Sequence, residues 1–247
     1  MDLGLTGKRF LVTGASRGLG RAAAATLVAE GARVLISARD ERRLAAVAKE
    51  IGCVGTAADN ADPTAAARLV QATVDAFGGI DGALVSVGGP PAGTALALTD
   101  DQWHDAFDSV FLGAVRLCRA VAAALPAGGG SIVLVLSSSV RAPVAGLAAS
   151  NGLRPGLAML AKTMADELGP EGVRVNSLLP GRVDTDRVRE LDGPDPAVRA
   201  RHEAGIPLRR YGTPEEFGRV AAFVLSPAAS YLTGAAIPVD GGLTRAL

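Results

Sequence analysis

Short apolar runs alternate with longer, alanine-rich segments along most of this chain. Seven runs predict β-strands at Arg9–Thr13, Arg33–Ala38, Val54–Ala57, Gly82–Ser86, Ser131–Leu136, Arg174–Leu178 and Ala236–Val239. The segments between them predict helices near residues 18–30, 41–51, 62–77, 99–125, 150–169 and 214–226. Continuous apolar strands separated by helices are typical of a parallel sheet covered on both faces. We therefore expect an α/β fold, with one doubly wound parallel sheet of about seven strands and a single domain over residues 1–247.

One stretch, from Gly181 to Gly212, departs from this alternation. It intersperses Pro194, Pro196 and Pro207 among charged residues. Such a segment is either a surface excursion or a flap over a ligand cleft. We expect a substrate flap at about residues 182–212.

The composition excludes several function classes. The 247 residues carry 25 basic and 25 acidic side chains and only 4% aromatic residues, so neither nucleic acid nor a membrane surface is an expected partner. Cys53 and Cys118 lie in apolar stretches without a cysteine–histidine cluster, so we expect no disulfide scaffold and no metal site. Without a signal-like leader or a membrane-length apolar window, a cytoplasmic protein is expected.

The basic residues are unevenly divided, with three lysines against 22 arginines. There are also only two tyrosines, Tyr211 and Tyr231. Any mechanism that needs a tyrosine close to a lysine therefore has few places in this chain.

The first chemical motif is the glycine-rich segment Thr13–Gly20, which reads TGASRGLG. It follows an apolar strand and opens a predicted helix. Glycines at 14, 18 and 20 let the backbone turn tightly and approach a pyrophosphate, while the start of the helix presents free N–H groups and a positive dipole end. The strand–turn–helix context indicates a dinucleotide-binding site.

The end of the second predicted strand bears on the choice of dinucleotide. Ala38 and Arg39 stand where enzymes that prefer NAD usually carry a carboxylate for the ribose diol. Arg39, together with Arg17 from the glycine-rich turn, favours NADP(H) because two guanidinium groups suit a 2′-phosphate. Asp40 leaves NAD(H) open as the alternative.

Further motifs occur in order and at matching spacing along nearly the whole chain. They are Asp59-Asn60, Glu167-Leu168, Gly172–Asn176, Pro180-Gly181, Tyr231–Gly234 and Val239–Gly242. With the glycine-rich turn, they make the sequence resemble the short-chain dehydrogenase/reductase family. The resemblance implies a Rossmann fold, a small carbonyl or alcohol substrate, and a homo-oligomer that is a tetramer or a dimer.

The resemblance also implies which residues hold the cofactor. Asp59 matches the family's aspartate that contacts the adenine, and Thr185 matches the threonine that holds the nicotinamide carboxamide. The expected cofactor-binding set is Gly14, Ser16, Arg17, Gly18, Leu19, Gly20, Arg39, Asp59, Asn60, Ser86, Gly88, Arg154, Pro180, Gly181, Val183 and Thr185.

The family's catalytic set of Asn, Ser, Tyr and Lys matches less well. Its four positions fall at Val110, Ser137, Ser150 and Arg154, so only the serine is kept. No Tyr-x-x-x-Lys occurs anywhere in the chain. A phenol of pKa about 10 needs a neighbouring cation to titrate near neutral pH, and this chain has replaced both members of that pair. The pattern resembles a divergent subgroup of the family.

The expected catalytic residues are therefore Ser137, Ser150, Asn151 and Arg154. A water held by the two serines and Asn151 could relay a proton, and Arg154 could hydrogen-bond the nicotinamide ribose. His104 and His202 are outside candidates for a group that titrates near neutrality.

Three functions remain open at this stage. The first is an NADP(H)-dependent oxidoreductase with an atypical proton path. The second is a catalytically silent NADP(H)-binding sensor or scaffold, and the third is a non-redox isomerase or lyase on the same fold. Arg141 and Arg182, near the expected cleft, would suit an acidic substrate.

Overall fold

The computed structural model describes residues 2–245, so Met1, Ala246 and Leu247 of the predicted domain lie outside the described residues. Its centre is a seven-stranded sheet in the order β3-β2-β1-β4-β5-β6-β7, and every neighbouring pair is parallel. The strands are β1 Arg9–Val12, β2 Arg33–Ala38, β3 Val54–Ala57, β4 Gly82–Ser86, β5 Gly130–Val135, β6 Val173–Pro180 and β7 Ala236–Val239. The predicted doubly wound α/β fold is confirmed.

Nine α-helices connect and flank the strands within the described residues. They are α1 Gly18–Ala29, α2 Glu41–Ile51, α3 Ala65–Phe77, α4 Asp100–Ala106, α5 Gly113–Ala124, α6 Ala148–Leu168, α7 Asp186–Asp192, α8 Pro196–Gly205 and α9 Pro214–Leu225. The long helix predicted at 99–125 is divided, because a π-helical turn at Phe107–Leu112 separates α4 from α5. None of these helices combines the length and the apolar character needed to cross a membrane.

Two hydrophobic cores, one on each face of the sheet, account for the alternation of apolar residues within the strands. Successive side chains of a strand point to opposite faces. Leu11 therefore packs towards α3, α5 and α6, whereas its neighbours Phe10 and Val12 pack towards α1, α2 and α9. Burial of these apolar side chains on both faces supplies the main stabilisation of the fold.

The segment predicted to be a flap contains two short helices, α7 and α8. Thr185 caps α7 by accepting a hydrogen bond from the Val188 amide, and Asp195 caps α8 with Pro196 at its first position. Neither helix contains a buried residue. The sequence interpretation of 181–212 as irregular therefore missed two helices that depend on capping rather than on an apolar face.

Candidate functional site

A cavity of about 350 Å³ opens at the carboxyl ends of β1, β4, β5 and β6. This is where ligands bind in open α/β sheets. Fifteen predicted site residues line it: Gly14, Arg17, Gly18, Leu19, Gly20, Arg39, Ser86, Gly88, Ser137, Ser150, Arg154, Pro180, Gly181, Val183 and Thr185. The structure thus brings most of the sequence-predicted set together in one cleft.

The glycine-rich turn is tied closely to the sheet. The Thr13 hydroxyl donates to the Ser86 carbonyl at 2.8 Å and accepts from the Ser86 amide at 3.0 Å, which joins the ends of β1 and β4. Gly14 has a φ of +61°, and a Cβ there would lie 2.6 Å from the Ser86 carbonyl oxygen. The turn can therefore follow this path only without a side chain at Gly14.

Helix α1 begins at this turn without a side-chain cap. Arg17 occupies the N-cap position, and neither its side chain nor an acidic residue in the first turn satisfies the amides there. Uncapped N–H groups and the positive end of a helix dipole favour a bound anion. Since Gly18 and Gly20 also line the cavity, the start of α1 has the open, side-chain-free surface that a pyrophosphate requires.

Two arginines border the cavity near the end of β2. Arg39 is exposed and follows β2 directly. Arg17 lies 3.3 Å from Glu190 and 4.0 Å from Asp186, so it connects the glycine-rich turn to α7. Asp40, the carboxylate that left NAD(H) open, accepts a hydrogen bond from the Arg43 amide and caps α2.

Arg154 is a buried cation at the floor of the cavity. Arg154 is 6% exposed, and its Nη1 donates to the carbonyls of Val135 and Leu136 at 2.9 and 3.0 Å. Burial, with a smaller contribution from the charge of Arg187, lowers the pKa of Arg154 to about 10. The guanidinium therefore remains charged at neutral pH and is fixed in place by these two carbonyls.

Three serines form a hydrogen-bonded group beside Arg154. The Ser137 hydroxyl accepts from the Ser139 amide at 3.0 Å, and the hydroxyl oxygens of Ser139 and Ser150 lie 3.2 Å apart. Ser137 and Ser150 line the cavity, whereas Ser139 is buried behind them. Sequence reasoning did not assign a role to Ser139; the signal available was the run of three serines after β5.

Asn151 has a structural role that spacing alone did not indicate. Its side-chain oxygen accepts from the Val144 amide at 3.0 Å, and its side-chain nitrogen donates to the Val144 carbonyl at 2.9 Å. Asn151 is not part of the cavity lining. Its amide group therefore holds the loop before α6 and is not directed to the serine group.

Three predicted cofactor residues lie outside the cavity lining. Ser16 is half-buried in the glycine-rich turn. Asp59 and Asn60 follow β3, and the Asp59 carboxylate accepts from the Ala61 amide at 3.0 Å. Both residues follow the carboxyl end of β3, which lies beyond β2 at the edge of the sheet.

The two arginines suggested for an acidic substrate are not brought to the cavity. Arg141 is exposed, and Arg182 pairs with Asp192 and lies 3.0 Å from His202 Nε2. A different arginine, Arg187, lies at the cavity. Arg187, on α7, lines the cavity and donates from Nη2 to the Pro90 carbonyl at 2.9 Å, so it spans the mouth of the cleft. The sequence carried no signal for this placement beyond its position in the flap.

No tyrosine, histidine, lysine or cysteine lines the cavity in the part of the chain that the structure describes. Tyr211 donates to Asp192 at 2.7 Å, and burial raises its pKa to about 12. Tyr231 is fully exposed, and His104 is exposed on α4. Val110, which the sequence motifs placed at the family's asparagine position, is buried in the apolar core within the π-helical turn. Residues 2–245 also contain no cluster of three or more His, Cys, Asp or Glu side chains suited to a metal ion.

Comparison with known proteins agrees with this geometry. A family model described as enoyl-(acyl carrier protein) reductase matches residues 14–244. The chain is 36% identical over 250 residues to the L-rhamnose 1-dehydrogenase (NAD(P)(+)) of Azotobacter vinelandii, which covers 97% of each chain. It is 32% identical over 240 residues to the 3-oxoacyl-[acyl-carrier-protein] reductase of Salmonella typhimurium, covering 96% of this chain and 97% of that one.

Solved structures give the same result. The L-sorbose reductase of Gluconobacter frateurii, crystallised with NADPH and L-sorbose, superposes over 100% of both chains with a TM-score of 0.93 and 29% identity. A Serratia marcescens short-chain dehydrogenase/reductase superposes over 98% of this chain and 100% of its own, with a TM-score of 0.90 and 30% identity. The chain therefore belongs to the short-chain dehydrogenase/reductase family of oxidoreductases.

Proposed function

We propose that this protein is an NADP(H)-dependent oxidoreductase that interconverts a small carbonyl compound and the corresponding alcohol. The observation that carries the proposal is the cleft lined by Gly14, Gly18 and Gly20 at the uncapped start of α1, with Arg17 and Arg39 at its border. The relatives support it, because the matched L-sorbose reductase was crystallised with NADPH and the matched rhamnose dehydrogenase is named for NAD(P)+.

The residues present fit this cofactor. The first amides of α1 would hold the pyrophosphate, and Arg39 would bind the 2′-phosphate together with Arg17 once Arg17 leaves Glu190. NAD(H) lacks that phosphate and would bind more weakly. The remaining cofactor contacts are assigned to Gly14, Ser16, Gly18, Leu19, Gly20, Asp59, Asn60, Ser86, Gly88, Arg154, Pro180, Gly181, Val183 and Thr185.

The bound cofactor supplies a hydride for the carbonyl carbon. The protein must then stabilise negative charge on the carbonyl oxygen and deliver a proton to it. Arg154 provides a fixed positive charge, and a buried charge acts strongly because water does not screen it. We assign the oxygen contact to the Ser150 and Ser137 hydroxyls, which line the cavity.

The proton path is the atypical part of the proposal. A serine hydroxyl has too high a pKa to act as a free acid, so Ser150 must donate its proton while it accepts another. The Ser139 hydroxyl at 3.2 Å, or a water at the open side of the cavity, can supply that second proton. We leave Asn151 out of this relay, because its amide is bonded to Val144.

We also propose that the chain represents a subgroup of the family that works without the Tyr-x-x-x-Lys pair. Ser150 and Arg154 occupy the two positions of that pair. Neither tyrosine nor lysine lines the cavity within residues 2–245. Arg154 then replaces the lysine as a permanent cation that cannot exchange its proton near neutral pH.

A catalytically silent NADP(H)-binding protein is the second candidate. The observation that favours it is the cavity lining, which contains no histidine, cysteine, lysine or tyrosine among the described residues. This candidate and the oxidoreductase share the cofactor site but differ in turnover. A non-redox isomerase or lyase would share the serine group but would not need the hydride.

Two further assignments complete the proposal. Residues 182–212 would act as a flap over the substrate, because Arg187, Val188 and Leu191 of α7 line the cavity. The chain would also assemble as a homodimer or homotetramer, since Phe107 and Met159 leave 41% and 71% of their surfaces exposed on neighbouring helical segments.

Calorimetric titration with NADPH and NADH tests the cofactor assignment. We expect micromolar binding of NADPH, at least about tenfold tighter than NADH, from charge-assisted bonds to the 2′-phosphate. Arg39→Gln should remove most of that preference and leave NADH affinity nearly unchanged. If neither nucleotide binds, both the oxidoreductase and the silent binder are excluded. An unchanged preference for NADPH in Arg39→Gln would exclude Arg39 as the phosphate ligand.

A further inference from the structure

The charged residues of the cavity are unbalanced. Its lining contains four arginines but a single carboxylate, Asp186, which pairs with Arg189 at 2.9 Å. Arg17 and Arg39 lie at the end assigned to the 2′-phosphate of the cofactor. Arg154 and Arg187, beside the serine group and the mouth of the cleft, have no phosphate or carboxylate assigned to them.

Neither of these two guanidinium groups has an acidic partner. Within residues 2–245, no carboxylate oxygen lies within 4 Å of Arg154 or of Arg187. Arg154 bonds to the carbonyls of Val135 and Leu136 through Nη1, and Arg187 bonds to the Pro90 carbonyl through Nη2. Since a guanidinium has five N–H donors, both retain donors for a ligand.

The two cations line the same cavity and act on each other. The charge of Arg187 contributes to the lowered pKa of Arg154, behind the larger effect of burial. Burying a charge without a counter-charge is costly, and a second cation nearby adds to that cost. A bound anion between the two arginines would offset both effects. A carboxylate suits this position because guanidinium groups bind carboxylates with paired hydrogen bonds.

We propose that the substrate carries a carboxylate next to its carbonyl group, so that Arg187 and Arg154 bind a 2-oxo acid and its 2-hydroxy acid product. This inference rests on the proposed oxidoreductase function. In the reaction, the carbonyl carbon gains a C–H bond from the hydride of NADPH, and the π electron pair moves onto oxygen. That oxygen takes the proton delivered at the Ser150 hydroxyl from solvent, so the oxo acid is reduced as NADPH becomes NADP+.

The test compares acids with their neutral amides on the enzyme saturated with NADP+, where no turnover can occur. The probes are pyruvate against pyruvamide and phenylglyoxylate against phenylglyoxylamide. The two members of each pair have nearly the same size and the same ketone group, so they differ mainly in charge. Calorimetry should show at least one acid bound about tenfold or more tightly than its amide, as expected for a charge-assisted pair. Equal affinity within each pair, or no binding of either acid, would overturn the inference.

Variants on α7 separate substrate binding from cofactor binding. Arg187→Gln should reduce the acid-to-amide ratio to about twofold or less while the affinity for NADP+ stays within about threefold. Arg189→Gln is the matched control, because Arg189 lies on the same helix but does not itself line the cavity. Arg189→Gln should keep the acid-to-amide affinity ratio of the wild type.

Two outcomes distinguish this inference from the proposed function. If wild-type protein does not bind NADP+, the proposed function fails and the inference fails with it. If NADP+ binds normally but its affinity falls in Arg187→Gln in parallel with that of the acid, Arg187 serves the cofactor and the inference alone is overturned.

Discussion

Gly14 connects the cofactor cleft to the sheet at the scale of a single residue. Its φ of +61° lies in the left-handed region, and a Cβ would meet the Ser86 carbonyl oxygen at 2.6 Å. That carbonyl also accepts the Thr13 hydroxyl, so it cannot move without breaking the junction of β1 and β4. The turn is therefore restricted by both its conformation and its contact.

Replacement of Gly14 by alanine tests this account. We expect Gly14→Ala to lower the free energy of unfolding by more than about 2 kcal/mol, since the clash adds to a backbone cost of about 1–2 kcal/mol. It should also weaken NADPH binding at least about tenfold, because the turn cannot keep its path beside the pyrophosphate. Urea unfolding and calorimetry provide the two readouts.

Gly52→Ala is the matched control. Gly52 has a φ of +74° at the end of α2, but a Cβ there meets no atom within 4 Å. It should show only the backbone cost and normal NADPH binding. If the two variants are equally stable and bind NADPH equally, the contact with Ser86 does not restrict the turn.

The spacing of motifs along the sequence could predict the placement of some site residues but not of others. Ser150 and Arg154 were identified from their distance to later motifs, and both line the cavity. Asn151 was assigned beside them, but side-chain direction and the path of the loop bring its amide to Val144. Such hydrogen bonds depend on where a non-local loop passes, which a local pattern does not contain.

At the scale of elements, the flap is held together by a polar group around Asp192, which joins α7 and α8 to the two ends of the segment. Tyr211 donates to Asp192 at 2.7 Å, and Arg182 pairs with its other oxygen. His202, on α8, lies 3.0 Å from Arg182 through Nε2 and 3.1 Å from the Tyr211 hydroxyl through Nδ1. Because Arg182 can only donate, His202 Nε2 accepts, which requires the neutral ring.

This arrangement predicts that the flap loosens in mild acid. Burial and the charge of Arg182 lower the pKa of His202 below its usual 6.5, so the docked flap binds fewer protons than the undocked one. The protection of the flap from hydrogen exchange is therefore complete above about pH 6.5. It declines as the pH falls towards the lowered pKa of His202. Hydrogen exchange of residues 186–205 at about pH 7.5 and 5.5, corrected for intrinsic rates, measures the effect.

Two histidine variants provide the comparison. His202→Gln should remove the pH dependence of protection in the flap. His104→Gln should retain it, since His104 is exposed on α4 and distant in sequence from the flap. Wild-type protection that stays constant or rises on acidification would contradict the assignment of His202.

The elements show which features were predictable from the sequence. Helices α1, α2 and α9 were predicted within one residue of their observed ends, since each buries apolar side chains at helical spacing. Helices α7 and α8 bury none, so no apolar period marks them. The π-helical turn at Phe107–Leu112 was also missed, because one wider turn barely changes the periodicity.

At the scale of the whole molecule, the positions of the strands follow from apolar runs that the sequence shows clearly. Four strands, β2, β3, β4 and β7, have the predicted ends, and each parallel crossover is formed by intervening helical structure. Strand β6 extends to Pro180, two residues beyond its predicted end, because pairing with β7 continues there. The cavity depends on six separate segments meeting at one edge, which no single segment predicts.

The exposed apolar surface predicts self-association. Phe107 stacks on Phe111 at 5.1 Å between ring centres, and Met159 is 71% exposed on α6. We expect light scattering to give at least twice the chain mass of 24.9 kDa, since burial of such side chains stabilises an interface. Met159→Glu should shift the mass towards the monomer, because it places a charge in that interface.

Leu96→Glu is the control for this prediction. Leu96 is fully exposed but lies outside the helices that carry Phe107 and Met159. It should leave the mass unchanged. A wild-type monomer, or an oligomer unaffected by Met159→Glu, would contradict the proposed interface.

The most direct test of the central claim follows a deuterium label from the transferred position of NADPH into the product. The assay offers neutral ketones and 2-oxo acids to wild type, Ser150→Ala and Ser138→Ala, whose altered residue lies outside the cavity lining. We predict one deuterium per product molecule, with the rate about 100-fold lower in Ser150→Ala and nearly unchanged in Ser138→Ala. NADPH that binds but transfers no deuterium to any of these compounds, or a rate that survives Ser150→Ala, would contradict the account.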